Sequence, residues 1–189
     1  MRAFIAVEIP EEIKDGISGM PEKADEYPGI NWVKPQNLHL TLKFLGEISS
    51  GQIEEVKKNI ALIAKSFPPF RVKLEKSGVF PHLREARIIW IGPQRTPEEL
   101  KSLFARLETE ILQTNALRQE RSFHAHVTVG RIKKSVPAPV LQKIIDGIEK
   151  DLSALNCEFD CKEITLFEST LNPQGPVYTA IGKFNLNAS

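Results

Sequence analysis

The sequence predicts an α+β fold built of two related lobes with a cleft between them. Three observations lead there. Strand-period and helix-period segments are mixed in order instead of alternating as a regular parallel array. The same succession of elements occurs in both halves. And the phrase "HLTL" at residues 39–42 returns as "HVTV" at 126–129, 87 positions later in a chain of 189. Each half is expected to form a ferredoxin-like lobe, an antiparallel sheet with outer helices. A pseudo-twofold would set the two phrases against each other across an active cleft. The length suits one bilobal domain over 1–189.

"RAFIAVEI" reads as the first strand, and Pro10 opens a helix with acidic residues in its first turn. "INWVKP" is a short strand or connection, and "NLHLTLKFLG" a strand ending at Gly46. Ser49 and Gln52 form a capping-box pattern. Behind them Ile53, Val56, Ile60, Ile63 and Phe67 mark one face of a helix that "PPF" breaks. "FRVKLEKSGVF" and "ARIIWIG" read as two strands with a turn near 81–85. Thr96, Pro97 and Glu99 begin the next helix, with Leu100, Leu103, Phe104, Leu107 and Ile111 inward. A loop around "TNALRQERS" precedes the strand "FHAHVTVGR". Pro137 opens a helix with Leu141, Ile144, Ile145, Ile148 and Leu152 inward, and "CEFDCKEITLFES" and "PVYTAIGKF" close the chain as strands joined at "TLNPQGP".

Apolar residues make up 41% and charged residues 26%, with a net charge of +1. That balance excludes a strongly basic field, so any nucleic acid must be held by a local cluster. No stretch approaches the roughly 20 apolar residues of a membrane span, and "AFIAV" is too short for a signal peptide. A cytoplasmic protein is expected. Cys157 and Cys161 would lie roughly 13 Å apart on one strand at about 3.3 Å per residue, beyond the reach of a disulfide. They are expected to be reduced and structural.

Side chains alternate across a strand. Leu38, Leu40, Leu42 and Phe44 are therefore expected on the core face, and Asn37, His39, Thr41 and Lys43 on the other. In the second phrase Phe123, Ala125, Val127 and Val129 face inward, while His124, His126 and Thr128 face out. Only four histidines occur in the chain, and two fall in matching phrases. Two imidazoles across a cleft suit paired proton transfer near neutral pH. A threonine beside each can donate a hydrogen bond to an anionic oxygen. Attack on a phosphodiester needs both.

These phrases resemble the two-histidine (2H) phosphoesterases, and within them the RNA 2',3'-cyclic phosphodiesterases, also called 2'-5' RNA ligases. The supporting runs are "RAFIAVEIP", "HLTLKFLGE", "GVFP", "RIIWIG", "HVTVGR" and "LFESTLNPQGPVY", spread over essentially the whole chain in family order. The resemblance implies metal-independent hydrolysis of RNA 2',3'-cyclic phosphate ends to 2'-phosphate, with no cofactor. It makes His39 the proton donor, His126 the proton acceptor, and Thr41 and Thr128 holders of phosphate oxygens. It adds Arg131 as a phosphate contact. The implied partners are RNA ends, tRNA halves and small cyclic phosphonucleotides among them. Run in reverse, the site would make 2'-5' linkages. A monomer is expected. Ala125 departs from the proline that relatives often carry there.

Lys43, by parity, is a further candidate substrate contact, and Tyr178, beside the glycine turn, a candidate base-stacking residue. Phe44 and Trp32 are further aromatic candidates for stacking on a base, with core packing the default for all three. Arg131 has the wrong parity for the cleft unless Gly130 permits a bulge. His39, His124 and His126 are the residues a zinc reading would use, but that leaves both threonines unexplained. His124 and His82 are read as rim residues. Rival functions are a 2H enzyme acting on a small cyclic nucleotide and a non-catalytic RNA-binding module.

Overall fold

In a computed structural model, residues 1–18, 20, 29–111, 123–173 and 175–187 are described. Ten strands and four helices follow in order: β1 (Arg2–Glu8), α1 (Glu11–Ser18), β2 (Ile30–Trp32), β3 (His39–Glu47), α2 (Ser50–Lys65), β4 (Phe70–Lys73), β5 (Lys76–Phe80), β6 (Ile88–Gly92), α3 (Glu98–Ile111), β7 (Val127–Ile132), α4 (Ala138–Leu155), β8 (Glu158–Cys161), β9 (Glu163–Asn172) and β10 (Gly175–Asn185). The expected loop at 114–122 lies outside the described residues.

Local chemistry accounts for the helices. Ser49 Oγ accepts from the Gln52 N–H while the Gln52 side chain accepts from the Ser49 N–H, a complete capping box at the start of α2. Pro137 leads into α4, and Asn156, in the left-handed conformation at φ 46°, stops it. Each stripe read from the sequence is buried: Ile53, Val56, Ile60 and Ile63 on α2, Leu100, Leu103 and Leu107 on α3, Leu141, Ile148 and Leu152 on α4. Each such side chain contributes roughly 1.5–3 kcal/mol by leaving water.

The strands order as β10-β9-β1-β3-β7-β6-β5, with β2 against the far end of β7, and every pairing is antiparallel. The two lobes are thus joined into one eight-stranded sheet at β3 and β7, where Leu40 pairs with Val127. Their buried side chains form one continuous cluster through both halves. The run 70–80 is two strands, because β4 leaves the large sheet and pairs with β8 instead. The run 157–169 divides at Lys162 for the same reason. Among the described residues no helix is long and apolar enough to cross a membrane.

Two bulges decide which side chains face the cleft. On β3, Thr41 pairs with Ala6 but Lys43 with Ile5, so Leu42 is an extra residue. On β7, Thr128 pairs with Trp90 but Gly130 with Ile89, so Val129 is extra. Each bulge falls one residue after the motif threonine, and each reverses parity downstream. Phe44, opposite Phe4, consequently shares a face with Thr41, and Arg131, opposite Ile88, shares one with Thr128. Further along β3, Gly46 sits at φ 67°, a conformation that suits glycine.

The first bulge overturns two expectations. Phe44 is not core: it is 56% exposed. Lys43 is not a substrate contact: it turns inward, is 1% exposed, and its ammonium is ion-paired with Glu108 of α3. A buried pair broken on one side leaves a charge without compensation. Glu108→Leu should therefore lower stability by about 3–5 kcal/mol in chemical denaturation, and Lys43→Met with Glu108→Leu should recover much of it. Equal loss in the single and double variants would contradict that assignment.

Candidate active site

The register at Leu40 and Val127 sets the geometry. In an antiparallel pair the neighbours of these two residues also come side by side, so His39 lies beside Thr128 and Thr41 beside His126. The two phrases are crossed: each imidazole stands against the other phrase's threonine. Beyond this centre the cleft differs at its two ends, with Arg131 after one bulge and Phe44 after the other.

Both histidines are oriented by the same device. His39 Nδ1 is 2.7 Å from the carbonyl of Asn37, and His126 Nδ1 is 2.7 Å from the carbonyl of His124. In each case a ring N–H donates to the carbonyl two residues earlier, which leaves Nε2 free to exchange protons. Asn37 is itself fixed, its side-chain N–H donating to the Pro176 carbonyl on β10 at 3.0 Å. The segment 123–126 is not yet strand. It is held by close approach to Gly92, where an added Cβ would lie 2.5 Å from the Ala125 carbonyl oxygen. Glu8, the cross-strand neighbour of His39, is engaged elsewhere: it accepts from Thr165 Oγ1 at 2.8 Å and pairs with Lys183 at 2.9 Å.

Aromatic rings surround each imidazole. His39 packs against Phe4 with centroids 4.8 Å apart and meets Tyr178 edge-on at 5.1 Å. Phe80 lies edge-on to both His126 and His124, and Trp90 to His124. Burial pushes His39 down from 6.5 to about 4, against the Asn37 carbonyl, and the positive charges of Arg131, His126 and Lys14 add to the lowering. His126 is lowered chiefly by burial, with His124 and Arg131 contributing. Tyr178 is pushed up by burial, so its phenol keeps its proton at neutral pH, although Arg131 works against this. The structure therefore brings His39, Thr41, His126, Thr128, Tyr178 and Arg131 to one cleft.

A cavity of about 260 Å³ opens beside Thr41 and His126, lined also by Leu42, Phe44, Phe80, Phe123 and His124. Strict alternation put Phe44 in the core by default, and nothing local marked Phe80 as a wall of the site. Trp32 packs its ring over Gly130, and His82 sits 3.6 Å from Glu85 on an exposed turn. Cys157 and Cys161 are free and buried, and burial pushes the Cys161 thiol up to about 12. Among the described residues no three His, Cys, Asp or Glu side chains are grouped to hold a metal ion.

A crossed pair of His–Thr phrases on two lobes is the arrangement expected of a two-histidine phosphoesterase. The LigT-like phosphoesterase model matches twice, over residues 7–90 and 91–178. An RNA 2',3'-cyclic phosphodiesterase of Methanocaldococcus jannaschii is 38% identical over 96% of this chain and 98% of its own. One from Archaeoglobus fulgidus is 30% identical over 97% and 99%. Among solved structures, a protein of Thermus thermophilus superposes with a TM-score of 0.82 at 26% identity, covering 100% of this chain and 99% of its own. E. coli LigT complexed with 3'-AMP does so at 0.78 and 26%, covering 98% and 97%. The chain belongs to the LigT-like phosphoesterase family.

The lowered His39 has a consequence for stability. The unfolded chain takes up this proton near pH 6.5 and the folded protein only near 4, so stability falls as pH drops through that window. The loss approaches the order of 3 kcal/mol below pH 4. His39→Gln should flatten the stability profile between pH 6.5 and 4 in denaturant titrations; an unchanged slope would contradict the burial of a neutral imidazole.

Proposed function

We propose that the protein hydrolyses the 2',3'-cyclic phosphate at an RNA end and leaves a 2'-phosphate, without a metal. The observation that carries this reading is the crossed pair of His–Thr phrases, each histidine with its Nδ1 committed to a carbonyl and its Nε2 free. The names of the relatives at 38% and 30% identity support the substrate.

The reacting phosphorus sits between the two imidazoles. Water attacks it as His126 Nε2 takes the water proton. The P–O3' bond breaks, and His39 Nε2 delivers a proton to the departing 3'-oxygen. The products are a 3'-hydroxyl and a 2'-phosphate. Thr41 and Thr128 donate to the non-bridging oxygens, and Arg131 adds positive charge at its end of the cleft. The stronger lowering of His39 would by itself make it a poor acid at pH 7. Its role as donor comes from the family resemblance and needs the phosphate's negative charge to restore its proton. A 5'-hydroxyl in place of water would give a 2'-5' linkage, and the abundance of water favours hydrolysis. Phe44, half out of the protein beside an aromatic-lined cavity, is placed to stack on the terminal base, worth about 1–3 kcal/mol.

An oligonucleotide with a 2',3'-cyclic end should yield the 2'-phosphate with EDTA present; a 3'-phosphate, or loss of turnover with EDTA, would overturn the mechanism. His39→Ala and His126→Ala should each lower kcat by about 10² or more. A substrate with sulfur in place of the 3'-oxygen needs no proton on departure. It should rescue His39→Ala and leave His126→Ala slow; the reverse pattern would exchange the two roles. Phe44→Ala should raise KM about tenfold with a smaller change in kcat.

A further inference from the structure

Past Arg131 the chain continues as Ile132, Lys133 and Lys134. These are held in place: the Lys133 and Lys134 N–H groups both donate to the Gly29 carbonyl, at 2.8 and 3.3 Å. The Ile132 N–H donates to the Arg87 carbonyl at 2.9 Å, which puts Arg87 beside the end of β7. Arg84 precedes it on the short turn Leu83–Glu85. On the other side the Val33 N–H donates to the Val129 carbonyl at 2.9 Å, so Lys34 begins next to the same strand.

Arg84, Arg87, Lys133, Lys134 and Lys34 are all exposed. None of the five makes an ion pair among the described residues, whereas cations elsewhere commonly do, as Lys57, Lys76, Lys101 and Lys183 show. The described acid in this group, Glu85, faces His82. In a chain whose net charge is only +1, these cations form a local departure from balance around the end of β7, the strand that carries Arg131. Clustered exposed cations repel one another unless a polyanion neutralises them, and a phosphate backbone does so while releasing its counterions.

We propose that Arg87, Lys133 and Lys134, continued by Arg84 and Lys34, form a ridge that carries the sugar–phosphate backbone of single-stranded RNA into the cleft. The substrate is then the end of a strand several nucleotides long, in preference to a free cyclic mononucleotide. The inference rests on the phosphodiesterase reading above and adds to it the length of strand that is recognised.

The test compares a 2',3'-cyclic mononucleotide with a hexanucleotide ending in the same cyclic nucleotide, across a range of salt. For the wild-type protein kcat/KM should be higher for the hexanucleotide and fall more steeply with salt. The triple variant Arg87→Gln, Lys133→Gln, Lys134→Gln should lower the hexanucleotide-to-mononucleotide ratio about tenfold at low salt. It should also make the hexanucleotide's log–log salt slope shallower by about 0.7 per lost contact, roughly 2 in all. Arg87→Lys with Lys133→Arg and Lys134→Arg should keep both. Equal wild-type turnover of the two substrates, or a triple variant that slows both alike with its slope intact, would overturn the ridge and leave the hydrolysis standing. Turnover of neither substrate would instead overturn the phosphodiesterase reading.

Discussion

The pairing of Leu40 with Val127 is where the two halves of the molecule become one site. Both residues are fully buried, and their backbones carry the only described pairing between β3 and β7. Every residue given a role in the proposed reaction is counted from that register. One residue to either side lie a histidine on one strand and a threonine on the other, in crossed positions. A slip of a single residue on either strand would turn that strand's imidazole into the core, so burial of the flanking Leu38, Leu42 and Val129 holds the candidate site as much as the fold. The bulges that follow each threonine then give the cleft its polarity, because the pseudo-equivalent positions hold Phe44 in one lobe and Arg131 in the other.

The second constraint is desolvation. Aromatic rings pack on each imidazole, and the result is a pair of histidines held neutral in the free protein. Two neutral imidazoles cannot act as acid and base together. A phosphate between them changes this, since its negative charge favours protonation of whichever ring must donate. In the proposed reaction, binding and activation are thereby coupled: the group that reacts would also supply the charge that prepares the site. The carbonyls of Asn37 and His124 suit this arrangement better than a carboxylate would, because they fix the ring without adding a permanent negative charge.

Much of this was legible in the chain. The doubled phrase, its spacing and the alternation around it placed His39, Thr41, His126 and Thr128 on one face. The helix stripes and the capping box at Ser49 were equally readable, being local signals of three- and four-residue period. What alternation alone misassigned lies beyond the bulges. Leu42 looks like any core leucine, and nothing near it signals an inserted residue, so Lys43 and Phe44 were exchanged in role. Gly130 did hint at the second bulge, and there Arg131 falls on the cleft side as that hint required. The pairing of β4 with β8, and the wall that Phe80 forms beside His126, join segments far apart in sequence and leave no local trace.

The state of the two imidazoles decides whether the proposed mechanism holds, and nitrogen-15 NMR of labelled protein reads it directly. His39 and His126 should both be neutral at pH 7 with the proton on Nδ1, His39 should titrate near 4, and inorganic phosphate should raise both titrations. Protons found on Nε2, or titrations near 6.5 that phosphate leaves unmoved, would contradict a site that holds both rings neutral until the phosphate arrives.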